Sequence, residues 1–150
     1  MPETLGGIPV HPLVVHAVVV LIPLAALGVM AVSVVPRWRA RFGVLVVAAA
    51  AAATAFVPVA TQSGENLEET VGESAQLERH AELGDSMIWG AIPLLVMAVA
   101  LWWLGRQAGK DQPPPRWLTI IVPVLGVVVA GVALVQVVLI GHSGAKSVWG

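Results

Sequence analysis

Four apolar runs without a charged residue constrain this chain more than any other feature. They extend over residues 12–35, 42–60, 87–104 and 117–140. Each is about as long as a helix must be to cross a hydrocarbon core of roughly 30 Å. Only 11% of the residues are charged, against about 25% in a typical soluble domain. The sequence therefore predicts an all-α integral membrane protein, a four-helix bundle formed by one domain over residues 1–150.

The basic residues indicate which way the helices cross the membrane. Six of the eight lie in the links after the first and third runs, namely Arg37, Arg39, Arg41, Arg106, Lys110 and Arg116. The link over residues 61–86 holds seven of the nine acidic residues and only Arg79. Because positively charged loops stay in the cytoplasm, we expect both termini and the acidic link on the extracytoplasmic side.

All four histidines fall on that outer side, although an imidazole near lipid is costly to bury without a partner. His11 and His16 begin the first helix, and His142 follows the fourth. His16 is five residues past His11, which places it about 7.5 Å deeper. The same step rotates it by roughly 140°. These two rings therefore do not share a face of the helix.

His80 precedes the third apolar run, in a helical extension above the membrane. The third helix is expected to cover residues 77–104, with the others at about 12–35, 42–60 and 117–140. Around His80 the residues that follow the 3–4 spacing of one helix face are Leu77, His80, Ala81, Gly84 and Ile88. We therefore expect His80 to face the bundle.

Imidazoles from separate helices suit three kinds of site in a chain without cysteine. The first is haem b, whose iron binds an imidazole on each side of the porphyrin within a helical bundle. His16 and His80 are then the expected axial ligands, and His11 and His142 contact the propionates or hold a second haem. The second is a copper or zinc site of three imidazoles, with Met87 as a soft ligand for Cu(I). The third is a proton relay or pH-sensing cluster.

The function that these residues favour is electron transfer by a membrane-embedded haem protein, with a redox partner protein on the extracytoplasmic side. The alternatives are a copper-binding or other metal-binding membrane protein and a cofactor-free accessory subunit of a larger membrane complex. No nucleophile, general base or substrate pocket is recognisable, so an electron carrier or accessory subunit is expected rather than an enzyme. Nucleic acid is not an expected partner, and a homo-oligomer is left open.

Four short stretches resemble a bacterial family of small four-helix membrane proteins, domain of unknown function 2231 (DUF2231). They are GIPVHPLVVH at the start, SGE after the second helix, ERHAELG before the third and GHSGAKSVWG at the end. The resemblance implies a multi-pass protein of the bacterial inner membrane. Because relatives are sometimes joined to Rieske-type iron–sulfur domains, it also implies redox work. Ala17 and Val18 replace the family's usual Phe-Pro, and Trp149 replaces a final tyrosine. The matching positions are His11, Pro12, His16, His80, Gly141 and Gly144.

Overall fold

The computed structural model describes residues 4–5, 8–71, 75–111 and 113–149, with side chains over 11–66, 78–111 and 113–146. Two short strands, β1 (Thr4–Leu5) and β2 (Ile8–Pro9), pair in antiparallel register. The helices are α1 (Val10–Val34), α2 (Pro36–Val71), α3 (Ala75–Ser86), α4 (Ile88–Gln107) and α5 (Arg116–Trp149). The side chain of Leu77, expected beside His80, lies outside the described residues.

Four segments of the described chain are long and apolar enough to cross a membrane: His11–Val34, Pro36–Asn66, Glu78–Gln107 and Arg116–Lys146. The prediction of an all-α, four-helix membrane protein is therefore confirmed. α1 packs against α2 and α5, and α4 packs against the same two helices. The four spans thus close into a ring, with the start of α1 and the end of α5 at one end of the bundle. That this end faces the outside of the cell stays a prediction.

The third span, Glu78–Gln107, covers most of the helix that the sequence predicts for residues 77–104, with a local irregularity at Met87, which keeps right-handed helical dihedrals. The boundary between α3 and α4 lies at Met87, whose carbonyl accepts hydrogen bonds from the Gly90 N–H and the Ala91 N–H, both at 3.0 Å. Pro93 has no N–H for the carbonyl of Trp89, and its ring crowds that carbonyl. Pro23, Pro58 and Pro123 lie inside α1, α2 and α5 without such a boundary.

α2 and α5 extend beyond their predicted bounds of 42–60 and 117–140. α2 begins at Pro36, because proline suits a first helical position, where its missing N–H would have had no partner within the helix. At their far ends both helices leave the apolar segment and continue with polar residues, to Val71 and Trp149. Much of the acidic link is therefore helical.

Alanine and β-branched side chains form most of the core of the bundle. Fully buried residues at helical spacing are Ile22, Ala25, Ala26 and Val29 on α1, Ala50 and Ala53 on α2, Ala91, Leu94, Ala98 and Leu101 on α4, and Ala130 and Ala133 on α5. Small residues at helix contacts let the backbones approach closely in a membrane protein, where packing and not hydrophobicity joins the helices. In the alanine run 48–53, Ala50 and Ala53 are buried and take this packing role.

A buried arginine closes the end of the bundle away from the histidines. Arg39 of α2 is only 8% exposed. Its Nε donates to the Val32 carbonyl at 2.9 Å and its Nη2 donates to the Ser33 carbonyl at 2.8 Å. These carbonyls belong to the last turn of α1, which leaves them without an N–H of their own helix. One of the basic residues that predict the sidedness thus also caps a helix.

Candidate functional site

His11 on α1 and His80 on α3 lie at the same end of the bundle and line one cavity. The cavity has a volume of about 100 Å³ and is bordered by α1, α2, α3 and α5. Its other walls are mostly apolar and include Val15, Val57 and Ile140. Both imidazoles are partly buried. The structure therefore brings together two of the four histidines, and they come from different spans.

The His11 ring is held by a serine and a glycine of α2. Its Nδ1 lies 3.0 Å from Ser63 Oγ, and the Ser63 hydroxyl donates to the Ala60 carbonyl at 2.9 Å. Ser63 is buried. A Cβ added at the next residue, Gly64, would lie 3.1 Å from His11 Cε1. Any larger residue at that position would therefore crowd the imidazole.

The His80 ring is held in the same way by α5. Its Nδ1 lies 2.9 Å from Ser143 Oγ, and the Ser143 hydroxyl donates to the Ile140 carbonyl at 2.8 Å. A Cβ added at Gly144 would lie 3.0 Å from His80 Cε1. Ala81 and Gly84 line the cavity beside His80, as the 3–4 spacing on α3 predicts.

These two arrangements are equivalent, and sequence reasoning missed their serines. In each, a histidine near the start of one span contacts a Ser-Gly pair near the end of another span. The dipeptide Ser-Gly occurs only at 63–64 and 143–144 in the chain. Both copies fall within the stretches that resemble the family, but nothing in them assigned a role to the hydroxyls. The signal that points to them is the repeated dipeptide beyond the second and fourth apolar runs.

His16 and His142 lie apart from this cavity. His16 is exposed on the outside of the described bundle, and its Nδ1 lies 2.5 Å from the Pro12 carbonyl of its own helix. The rotation of about 140° between His11 and His16 means that only one of them faces α3, and packing selects His11. His142 is exposed on α5. The predicted axial pair of His16 and His80 is thus not the pair that the structure brings together.

The chemistry of the cavity rests on two imidazoles. Each Nδ1 is engaged with a serine, so Nε2 is the ring nitrogen that remains for another partner. Met87 (2% exposed), Glu65 and Asp85 also line the cavity. Within the described residues there is no group of three or more His, Cys, Asp and Glu that could hold a metal ion.

Gln136 lies next to the cavity wall and makes a long interhelical contact. Its Nε2 is 3.5 Å from the Ser86 carbonyl. Its Oε1 is buried and has no hydrogen-bond partner among the described residues. The oxygen lies against Gly90, where an added Cβ would overlap it. Glycine at this position therefore makes room for the amide.

Comparison with known proteins places the chain in a membrane family and leaves its activity open. A family described as "Predicted membrane protein (DUF2231)" matches residues 7–150. Neither the curated proteins nor the solved structures contain a match. The family description names a membrane protein and no reaction, so the function has to be inferred from the cavity and its histidines.

Proposed function

We propose that this chain, which belongs to the DUF2231 family of predicted membrane proteins, binds haem b at one end of its bundle and transfers single electrons. His11 and His80 would hold the haem in this proposal. The observation that carries it is a pair of imidazoles from separate spans at one cavity, each with Nδ1 engaged and Nε2 left for a ligand. Of the two ligands predicted from the sequence, His80 is retained. His11 replaces His16, because His16 lies on the outside of the bundle.

The residues of the cavity fit haem in their chemistry. Haem iron takes an imidazole nitrogen on each side, and helical bundles build such sites from facing helices. The apolar walls suit a flat hydrophobic ring. Because the cavity of about 100 Å³ is smaller than a porphyrin, binding requires the surrounding helices to separate.

Bound haem would supply a centre that accepts and releases one electron, and the chain's own residues would tune it. Two neutral imidazoles add no charge to the site. Apolar walls disfavour the more positive, oxidised form, whereas the Glu65 and Asp85 carboxylates on the lining stabilise it. Asp85→Asn is therefore expected to raise the reduction potential, which a spectroelectrochemical titration measures.

A Cu(I) site is the second candidate, and the buried Met87 is the observation that favours it. Its side chain lines the same cavity as both histidines. A thioether and two imidazoles are ligands that suit Cu(I), and a bare ion needs no enlargement of the cavity. A proton relay and a cofactor-free accessory subunit are the remaining outcomes of the test below.

The absorption spectrum of the full-length protein, purified in detergent, separates these functions. Haem gives a Soret band that shifts on reduction, together with a reduced α-band. Colourless protein with one equivalent of copper contradicts the haem proposal and supports the Cu(I) site. Colourless, metal-free protein from cells supplied with haem and copper contradicts both.

Histidine variants then identify the ligands. His11→Ala and His80→Ala are each expected to abolish haem retention. His16→Ala is the matched control on the same helix, and it is expected to retain haem, as is His142→Ala. Loss in His16→Ala with retention in His11→Ala would restore the sequence-based pair and overturn the role of His11. Gel filtration in detergent shows whether each variant is folded.

The surface beside the cavity fits a basic partner protein. Among the described residues of 61–86, the exposed charged side chains are Glu65, Glu78, Glu82 and Asp85, with Arg79 as the single cation. A surface of one sign steers an oppositely charged partner and raises the rate of association. In this proposal a basic redox protein approaches from the extracytoplasmic side of the bacterial inner membrane. The rate of electron transfer should then fall as salt is added.

A further inference from the structure

The hydroxyl of each serine in the site carries a single proton. The acceptor to which the serine donates this proton determines which nitrogen of the neighbouring imidazole carries a hydrogen. Ser63 donates its proton to the Ala60 carbonyl, and Ser143 donates to the Ile140 carbonyl. Each hydroxyl oxygen then faces its histidine as an acceptor only. With the hydroxyl proton on the carbonyl, the contacts of 3.0 and 2.9 Å are made by a hydrogen on Nδ1 of each ring.

We infer that Ser63 and Ser143 are positioning residues that hold His11 and His80 as neutral Nδ1–H tautomers, with the Nε2 lone pair of each ring available to a Lewis acid. The inference rests on the proposed function only where it names haem iron as that Lewis acid. The tautomers themselves are a property of the protein without any ligand.

The main-chain carbonyls are what give the serines this control. A freely rotating hydroxyl donates as readily as it accepts, so it would serve either tautomer of a histidine. Bonding to the carbonyl three residues earlier removes that freedom. The tautomer so imposed is the opposite of the Nε2–H form that predominates for free histidine in water. The same chain of hydrogen bonds, from ring to hydroxyl to carbonyl, occurs on α2 and on α5. A ligand in the cavity therefore meets two equivalent imidazoles.

The glycines after the serines keep each ring in contact with its hydroxyl. A Cβ added at Gly144 would meet Cε1 of His80 at 3.0 Å and both ring nitrogens at 3.4 Å. At Gly64 it would meet Cε1 and Nδ1 of His11 at 3.1 and 3.6 Å. A side chain at either position would push the imidazole away from the serine. This accounts for glycine beside serine in both copies of the dipeptide.

Loss of the serine hydroxyl should weaken the binding of the histidine to a metal without abolishing it. Partners that bond to the second nitrogen of a metal-bound imidazole typically change metal affinity by about 10–100-fold. Ser143→Ala is therefore expected to lower the affinity for added ferric haem by that factor. A smaller loss is expected for Ser63→Ala, because the Ala60 carbonyl also lies near the His11 ring.

The test is nitrogen-15 NMR of the imidazoles in the haem-free, full-length protein in detergent, at a pH where all four rings are neutral. Couplings to the ring protons show which nitrogen carries hydrogen. His11 and His80 are expected as Nδ1–H tautomers, and exposed His142 serves as the Nε2–H reference. Ser143→Ala is expected to convert His80 to the Nε2–H form and to leave His11 unchanged.

Ser86→Ala is the matched control. Ser86 also donates to the carbonyl three residues earlier, that of Leu83, and it has no contact with an imidazole among the hydrogen bonds of the described residues. It is expected to change neither tautomer. An Nε2–H tautomer for His11 or His80 in the parent protein, or an unchanged His80 in Ser143→Ala, overturns the inference. Correct tautomers in a protein that binds neither haem nor copper would refute the proposed function and leave this inference standing.

Discussion

Arg39 offers the sharpest test of how the bundle is held together. Its guanidinium donates to two carbonyls at the end of α1, and it is 8% exposed. Arg39→Ala removes both donors and leaves the Val32 and Ser33 carbonyls without a partner where the chain turns into α2. The helix junction should therefore lose stability, although no residue of the cavity is touched.

The two hydrogen bonds set the size of the effect. A hydrogen bond to a charged group contributes about 1.5–3 kcal/mol in soluble proteins. In membrane proteins the average contribution of an interhelical bond is lower, about 0.6 kcal/mol, because the unfolded state in the membrane also finds partners. Arg39 combines charge with burial at the end of a span. We therefore expect Arg39→Ala, which removes two such bonds, to lower the free energy of unfolding by about 2–4 kcal/mol.

Reversible unfolding in mixed micelles, followed by circular dichroism, measures this change. Arg37→Ala is the matched control, since Arg37 lies in the same junction but is exposed. Its effect should stay below about 0.5 kcal/mol, as for an ordinary surface substitution. Arg39→Lys should recover only part of the loss, because one ammonium does not reproduce the planar fork of a guanidinium. Equal stability of Arg39→Ala and Arg37→Ala would refute the capping argument.

Three further substitutions test close packing, an unpaired polar atom and the cavity. Gly105→Ala would place a Cβ 2.6 Å from the main chain of α2, so we expect a loss of about 1–3 kcal/mol; Gly109→Ala, with open space around it, should unfold at nearly the parent temperature. Ser33→Ala removes a buried hydroxyl without a partner in the described chain and should be neutral or stabilising by up to about 1 kcal/mol, so a large loss would reveal a partner. Gly84→Leu fills the cavity and should abolish binding of the ligand, as measured by the absorption spectrum. Gly141→Leu, on the open surface of α5, should still bind it. Equal binding by both variants would place the ligand elsewhere.

The sequence by itself determined the fold class and the number of spans. A backbone in lipid has to satisfy its own hydrogen bonds, so each uncharged apolar run has to be a helix, whatever its neighbours are. The residues at which the helices begin and end were predicted less accurately from the sequence. The boundary between α3 and α4 at Met87 falls at the first residue of the third apolar run, and the extension of α2 to Val71 lies beyond the second. At these ends water and protein compete for the backbone, and hydropathy constrains it less.

Only the tertiary structure decided which histidines meet. The sequence places His11, His16 and His80 at one end of the bundle and shows that the first two face different ways, but the rotation of α1 about its own axis depends on how its buried residues pack against α2 and α5. That rotation turns His11 into the cavity and leaves His16 outside. The serines became visible for the same reason: Ser63 and Ser143 lie far from their histidines along the chain, and helix packing alone brings hydroxyl and imidazole within hydrogen-bonding distance.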